Sequence, residues 1–218
     1  MFDLLLITPE LPPGDIVTRS RLALANTPRG RVALQLRARH LSDPSRTDLT
    51  HALRALTREH GAALLLNDAI DLACALGADG VQLPERGPSP SFARARLGPT
   101  AWIGASRHDL PGVLAAASDG ADFVTLSPVF HVPDKAAPLG LSGLRAVALA
   151  SALPIVALGG ITAESAADVI GAGAHGIAVI RDVLGREDPA PAVSALLSAI
   201  DQGRCGRTAS ARHPPGAS

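Results

Sequence analysis

Short apolar runs recur along the chain at fairly even intervals, and stretches with helical spacing lie between them. Each run has four to seven residues and is mostly apolar on both faces, which is typical of strands buried on both sides of a parallel sheet. The runs comprise residues 2–8, 32–37, 63–67, 80–83, 102–106, 123–127, 155–159 and 176–180. Helical spacing is clearest in residues 48–60, 69–76, 110–118 and 163–172. This alternation predicts a parallel α/β fold, and eight strands are the number that closes a (βα)8 TIM barrel. A doubly wound parallel sheet is the alternative.

A weak internal repeat supports the barrel. Its copies are Gly77-Ala-Asp-Gly-Val81, Gly120-Ala-Asp-Phe-Val124 and Gly173-Ala-His-Gly-Ile177. In each copy a glycine is expected to end a helix in the left-handed conformation, and a tight turn then leads into the next strand. The copies precede the fourth, sixth and eighth predicted strands, so the chain repeats one strand–helix design.

Composition restricts the classes of protein to consider. The chain has 218 residues, 47% hydrophobic and 18% charged, which suits one well-packed domain and excludes a disordered chain. Its 20 basic and 20 acidic residues cancel, so neither nucleic acid nor an anionic membrane is an expected partner. No apolar run approaches the roughly 20 residues that span a bilayer, and the first residues lack a signal-peptide pattern, so we expect a cytoplasmic protein.

The last residues differ in composition from the rest. Residues 203–218 are rich in Gly, Pro, Ser and Arg and show no periodicity. We therefore predict one barrel domain over residues 1–202, followed by a disordered tail.

Chemistry in such a barrel lies at the carboxyl ends of the strands, so the residues that close each apolar run are the candidates. This set is polar and mostly basic or rich in exposed backbone N–H groups, which indicates an anion site. It includes the one lysine among the 20 basic residues. The set is Gln35, Arg37, Arg39, Asn67, Asp68, Glu85, Ser106, His108, Lys135, Gly159, Gly160, Arg181 and Asp182.

Two short segments in this set have alternative interpretations. Gly159 and Gly160 open a predicted helix with Thr162 as a plausible N-cap, and backbone N–H groups at such a turn can hold a phosphate. The alternative is that paired glycines only allow close packing. Asp68 follows Asn67 and suits Mg²⁺, which often takes one or two carboxylates. The alternative is that Asp68 caps the next helix.

Seven blocks of sequence resemble one family, in order and in spacing, over roughly residues 2–200. The family is that of the thiamine-phosphate synthases, which includes the TenI-type thiazole tautomerases. The blocks are Gln35-Leu-Arg-Ala-Arg39, Leu66-Asn-Asp68, Gly77-Ala-Asp-Gly-Val81, Ile103-Gly-Ala-Ser-Arg-His108, Ser127-Pro-Val-Phe-His-Val-Pro-Asp-Lys135, Pro154-Ile-Val-Ala-Leu-Gly-Gly-Ile161 and Gly173-Ala-His-Gly-Ile-Ala-Val-Ile180.

The resemblance implies a (βα)8 barrel that joins an aminopyrimidine methyl diphosphate to a thiazole phosphate and releases pyrophosphate with the help of Mg²⁺. It implies small phosphorylated pyrimidine and thiazole substrates, and a homo-oligomer stays open. The implied catalytic residues are Arg37, Ser106 and Lys135. The implied substrate- and phosphate-binding residues are Gln35, Arg39, Asn67, Gly159, Gly160, Ile180 and Arg181. Asp68 is the implied metal ligand, with Glu85 as a candidate second ligand.

The chain departs from the family pattern at several of these positions. Arg39 stands where the family has Lys, and Glu85 lies near a missing second carboxylate. Asp134 and Arg181 replace hydroxyl residues. These departures keep two alternatives open. One is a Mg²⁺-independent thiazole tautomerase with His131 or His108 as proton shuttle. The other is a catalytically silent barrel that binds a thiamine-related phosphate.

Overall fold

Eight parallel strands close into a barrel in which sequential strands are neighbours. The computed structural model describes residues 1–38, 40–133 and 135–212, with side chains described up to residue 207. The strands are β1 (Leu4–Ile7), β2 (Val32–Leu36), β3 (Ala63–Asn67), β4 (Gly80–Leu83), β5 (Trp102–Arg107), β6 (Phe123–Leu126), β7 (Ile155–Leu158) and β8 (Gly176–Val179). Leu4 is paired with Val32 of β2 and with Ile177 of β8, so the sheet is closed. The predicted TIM barrel is confirmed.

Helices follow the strands and cover the outside of the barrel. Within the described residues they are α1 (Pro13–Leu24), α2 (Asp43–His60), α3 (Ile70–Leu76), α4 (Pro90–Leu97), α5 (Leu110–Ser118), α6 (Gly140–Ala150), α7 (Ala163–Gly171), α8 (Arg181–Leu184) and α9 (Ala190–Arg212). The predicted helices are all present. Helix α2 begins earlier than predicted, because a proline in its first turn is preorganised for a helix start.

Two layers of side chains fill the barrel interior. The layer toward the amino-terminal end of the strands is apolar, and its Phe2 and Phe123 rings pack edge to face with centroids 5.2 Å apart. The layer toward the carboxyl end contains the buried polar side chains of Gln35, Gln82 and Thr125. An apolar plug thus closes one end of the barrel, and polar groups are left to line the other.

The internal repeat is a structural repeat. Asp79 and Asp122, which precede β4 and β6, each donate a backbone N–H to the preceding strand, to Leu64 O at 2.9 Å and Ile103 O at 2.8 Å. Each carboxylate accepts the N–H of that same residue at 2.7 Å, and each also pairs with an arginine. In the third copy His175 makes the same backbone bond, to Ile155 at 2.8 Å. Gly77, Gly120 and Gly173 all have positive φ, as the turn requires.

The predicted boundary at residue 203 is wrong. Helix α9 continues to Arg212, so residues 203–212 are helical and not a disordered tail. Gly203 has no side chain because a Cβ there would lie 2.5 Å from Ala167 O on α7, and Arg204 pairs with Asp3 at 2.5 Å. These tertiary contacts hold a segment whose composition is poor for a helix. Residues 213–218 lie outside the described residues. Among the described helices, none has the length and apolar content needed to cross a membrane.

Candidate active site at the carboxyl end of the barrel

Five polar side chains from neighbouring strands form two hydrogen-bonded groups in the layer toward the carboxyl end of the barrel. On β2 and β3, Gln35 Nε2 donates to Asn67 Oδ1 at 3.0 Å. On β4, β5 and β6, Gln82 Nε2 donates to Ser106 Oγ at 3.0 Å and to Thr125 Oγ1 at 3.1 Å. Gln35 Oε1 is buried without a hydrogen-bond partner. The structure therefore brings together Gln35 with Asn67, and it adds two residues beside Ser106 that were not candidates.

Arg37 continues β2 into the mouth of the barrel. Its backbone N–H donates to Thr8 Oγ1 at 2.9 Å, and the Thr8 hydroxyl donates back to Arg37 O at 3.4 Å. Thr8 is buried, so this pair of bonds sets where the arginine leaves the strand. Within the described part of the chain, the Arg37 guanidinium has no hydrogen bond or ion pair, which leaves it available to an anion. Arg39 lies outside the described residues.

Asp68 has a strained backbone at the end of β3. It is the one non-glycine residue with positive φ among those described, at 54°, and such conformations cluster at functional sites. Its N–H donates to Gln82 O at 3.0 Å. The N-cap interpretation is wrong, because α3 has Ala69 at its N-cap and no side-chain cap. The exposed Asp68 carboxylate has no partner among the described residues.

The donor set at Asp68 limits which kind of metal site fits. No group of three or more His, Cys, Asp or Glu side chains comes together within the described residues. A single hard carboxylate nevertheless suits Mg²⁺, which completes its shell with water and phosphate oxygens. Asp68 therefore fits a magnesium site that a bound diphosphate would complete.

Glu85 and His108 lie side by side above β4 and β5. The Glu85 Oε2 to His108 Nε2 distance is 4.0 Å, and His108 Nδ1 lies 2.5 Å from Ser127 O. The carbonyl requires a proton on Nδ1, so Nε2 of a neutral ring is an acceptor facing the carboxylate side. Glu85 thus contacts a histidine, and its role as second metal ligand stays a prediction.

The glycine turn after β7 packs against loop six, the segment after β6. Phe130 N–H donates to Gly159 O at 3.0 Å, and φ is 105° at Gly159 and 64° at Gly160. A Cβ on Gly160 would lie 2.9 Å from Phe130 Cβ and 3.0 Å from His131 O. Close packing therefore requires these glycines. Thr162 is the N-cap of α7, as predicted.

The same turn also leaves donors unused. Within the described residues, the backbone N–H groups of Gly159, Gly160 and Ile161 have no hydrogen-bond acceptor. Phosphate binding at the turn thus stays a prediction, compatible with the packing role.

The remaining candidates lie around this mouth. Lys135 and His131 are exposed on loop six, and neither side chain has a partner within the described residues. Asp134 lies outside those residues. Arg181 is exposed at the first position of α8, and the neighbouring Asp182 pairs with Arg186 at 3.9 Å instead. Ile180 is half-buried and packs on the apolar interior.

A larger depression, of about 550 Å³, lies at the opposite end of the barrel. Phe2, Trp102 and the Arg54–Asp79 ion pair line it. The arginine that lines it is already neutralised by a carboxylate, and none of the candidate residues that the structure describes reaches it. The small 20 Å³ cavity beside Asn67 is at the carboxyl end. We assign the site to the carboxyl end, because active sites of this fold lie at that end of the strands and the unpaired polar groups described above are there.

Gln82 and Thr125 are the site residues that sequence reasoning missed. Both are polar residues inside otherwise apolar strands. The strand register places both on the inward face of the sheet, the same face as Ser106. A polar residue at a fully buried strand position needs a hydrogen-bond partner, and that signal was present in the sequence.

Comparison with known proteins identifies the family of this chain. The family model described as thiamine monophosphate synthase matches residues 4–183. A putative thiamine-phosphate synthase of Geobacter sulfurreducens is 39% identical over 91% of this chain and 94% of its own length. The thiamine-phosphate synthase of Chloroflexus aurantiacus is 40% identical over 78% of this chain and 80% of its own.

A solved structure is similar to this chain in fold and sequence. The thiamine phosphate pyrophosphorylase of Pyrococcus furiosus superposes with a TM-score of 0.81 at 33% identity, over 93% of this chain and 96% of its own. The chain therefore belongs to the thiamine monophosphate synthase family.

Proposed function

We propose that the protein is a thiamine-phosphate synthase, which joins the aminopyrimidine methyl group of a diphosphate to the ring nitrogen of a thiazole phosphate. The observation that carries the proposal is a set of three cations, Arg37, Lys135 and Arg181, without carboxylate partners in the described residues, at the mouth of a barrel of this family. Two phosphorylated substrates need such unpaired positive charge. We also propose a cytoplasmic location, because substrates of this charge do not cross a bilayer unaided.

The leaving pyrophosphate is the group that most needs stabilising. The bond from the methylene carbon to the diphosphate oxygen breaks with its electron pair, and negative charge accumulates on the departing group. Arg37 and Lys135 are proposed to neutralise this charge, which stabilises the transition state more than the ground state. Lys135 on loop six is free to approach the ligand, because its side chain is exposed.

Asp68 is proposed to hold Mg²⁺ together with the diphosphate. When bound, the ion would neutralise phosphate oxygens and so assist departure of the leaving group. The residue's own contribution is a free carboxylate on a backbone that the Gln82 carbonyl holds in place. Because the ion shares its shell with the diphosphate, we expect metal and diphosphate to bind together.

The pyrimidine ring and the thiazole phosphate occupy the remaining groups. Gln35 Nε2 is committed to Asn67, so its unpartnered Oε1 is left to accept a hydrogen bond, which suits an exocyclic amino group. The free N–H groups of Gly159 and Gly160, with Arg181, are proposed to hold the thiazole phosphate.

The test is direct. The purified protein, incubated with both phosphorylated substrates and Mg²⁺, should produce thiamine phosphate and one equivalent of pyrophosphate, and EDTA should abolish the reaction. A folded protein that gives no product above background would contradict the proposal.

A second candidate rests on the Glu85–His108 pair. A histidine held by Ser127 O, with a carboxylate 4.0 Å from its other nitrogen, is arranged for proton transfer. A thiazole tautomerase would use such a group without a metal. It would keep its activity in EDTA and lose it in His108→Ala, whereas the exposed His131 has no orienting partner within the described residues.

A further inference from the structure

Two buried neighbours hold Ser106 in the layer toward the carboxyl end of the barrel. Gln82 Nε2 donates to its Oγ at 3.0 Å, and Thr125 Oγ1 donates to the same atom at 3.3 Å. Gln82 and Thr125 are each 2% exposed, whereas Ser106 is half-buried and lies next to the last residue of β5, toward the mouth. Two of these groups are therefore sealed inside, and one reaches the ligand space.

The direction of these hydrogen bonds leaves the hydroxyl proton of Ser106 unused. Gln82 Nε2 carries two protons and gives them to Ser106 and Thr125. The Thr125 hydroxyl gives its proton to Ser106. A serine hydroxyl has two lone pairs and one proton, so Ser106 Oγ has both acceptor positions occupied. Its own proton has no acceptor among the described residues.

Glycine at position 104 allows this arrangement. A Cβ there would lie 2.2 Å from Gln82 Oε1 and 2.3 Å from Phe123 Cζ. The Gln82 amide is thus packed between β5 and an aromatic ring, in a space that only a residue without a side chain leaves open. This packing restrains the amide that directs the Ser106 proton.

We propose that Gln82 and Thr125 are positioning residues that hold Ser106 as a hydrogen-bond donor toward an acceptor atom of the pyrimidine substrate. The inference rests on the proposed function and extends it to specificity. An aminopyrimidine ring nitrogen is an acceptor, and a ring that presents N–H or C–H at that point is not. The buried pair thus selects the substrate without touching it.

Reversing the polarity of Gln82 tests this. Gln82→Glu keeps the shape, but an ionised carboxylate only accepts, so the Ser106 and Thr125 hydroxyls should both turn toward it. We expect kcat/KM for the pyrimidine diphosphate to fall about tenfold, as it should in Ser106→Ala, with KM for the thiazole phosphate unchanged. The distant, exposed Gln202→Glu is the matched control and should leave both constants unchanged.

The pH profile separates polarity from a structural defect. Burial raises the pKa of a carboxyl group, and the introduced carboxyl group regains a donor when it is protonated. The activity of Gln82→Glu relative to wild type should therefore recover as pH falls. Taking the ratio to wild type at each pH cancels the pH dependence that the two proteins share. A ratio that stays constant across the pH range in which the introduced carboxyl group titrates would overturn the proposal.

Three further variants address charge and folding. If the new charge merely repels diphosphate, Gln82→Glu combined with Ser106→Ala should lose activity beyond Ser106→Ala; we expect no further loss. Thr125→Val should lower kcat/KM about threefold, and Thr125→Ser should restore it. These two serve if Gln82→Glu does not fold. Wild-type activity in Thr125→Val contradicts the inference.

A binding arm distinguishes this inference from the proposed function. Calorimetry with the aminopyrimidine methyl monophosphate needs no turnover. The Gln82, Ser106 and Thr125 variants should weaken binding of this probe in the same order in which they lower kcat/KM. If wild type binds this probe, the variants bind it more weakly in that order, and wild type makes no thiamine phosphate, the proposed function fails and the inference stands. If wild type turns over and the variants equal it, the inference alone fails. A wild type that neither reacts nor binds overturns both.

Discussion

The two ends of the barrel use the same residue types for opposite purposes. At the amino-terminal end, arginines pair with carboxylates that precede the strands. The pairs are Arg31–Asp3 (2.5 Å), Arg204–Asp3 (2.5 Å), Arg54–Asp79 (2.6 Å) and Arg94–Asp122 (2.7 Å). At the carboxyl end, Arg37, Lys135 and Arg181 have no such partner within the described residues, although Asp68 and Glu85 lie at the same mouth.

The difference teaches where each charge is needed. A paired charge stabilises the fold, because a partner compensates the cost of removing it from water. An unpaired cation at a rim contributes little to stability but can be matched by an anionic ligand. Substitutions at one end should therefore change the free energy of unfolding, and substitutions at the other should change catalysis.

Lys135→Ala should have the largest effect. Removing a charged donor to the leaving pyrophosphate should lower turnover about 10²-fold or more, as loss of one transition-state donor commonly does. The melting temperature should stay within about 1 °C, because the exposed side chain has no described partner. Steady-state kinetics and a thermal melt measure the two quantities.

The matched control is Arg58→Ala, which removes an exposed basic residue from the last turn of α2 at the other end. It should leave turnover unchanged. An unchanged rate in Lys135→Ala would make Lys135 an ordinary surface residue.

Asp3→Asn should break the paired end. Burial raises the pKa of Asp3, but the hydrogen bonds from Arg204 and Arg31 outweigh it, and the pKa lies below its ordinary 3.8. We expect a loss of about 2 kcal/mol in the free energy of unfolding at pH 7, from urea titration, with kcat unchanged.

The sign with pH follows from the lowered pKa. The contribution is present above about pH 4 and is lost as pH falls through the folded pKa, so the variant and wild type should converge in acid. Asp201→Asn, at the exposed partner of Arg31, should cost below about 1 kcal/mol. Equal costs for both variants would refute the ranking by burial.

Arg181→Ser tests whether Arg181 binds phosphate at the mouth of the barrel in place of the hydroxyl residue of the family. A charge-assisted contact is roughly twice as strong as a neutral one, so the thiazole phosphate should bind about fivefold more weakly by calorimetry. Asp182 pairs with Arg186, which leaves Arg181 free for a ligand. Tighter binding in the variant would mean that Arg181 fills the pocket.

His175 should have the smallest effect. Burial, and then the nearby Arg204 charge, lower its pKa below the ordinary 6.5. The unfolded chain therefore binds more protons, so stability should decline as pH falls from about 6.5, and His175→Gln should remove that part of the slope. Urea midpoints between about pH 5 and 8 provide the measurement, and parallel curves for the two proteins would exclude the effect.

Much of the fold and of the candidate site could be predicted from the sequence, because the sequence signals for strands and turns are local. Apolar runs at even spacing predicted eight strands, and the helix-ending glycines 77, 120 and 173 have the positive φ expected of them. The mouth residues followed from the rule that parallel strands end on one side. The tail was misread because its helix depends on contacts of Gly203 and Arg204 with distant residues.

The sequence by itself determined the barrel, its polar mouth and its family resemblance, because hydrophobic period and turn chemistry act over a few residues. Only the tertiary structure decided which cations are paired, that Asp68 is not a helix cap, and that Gln82 and Thr125 hold Ser106. The ion pairs of the amino-terminal end and the hydrogen bonds to Ser106 join residues 19 to 201 positions apart in the chain. Closure of the barrel brings such residues within hydrogen-bond distance, and no local pattern records that distance.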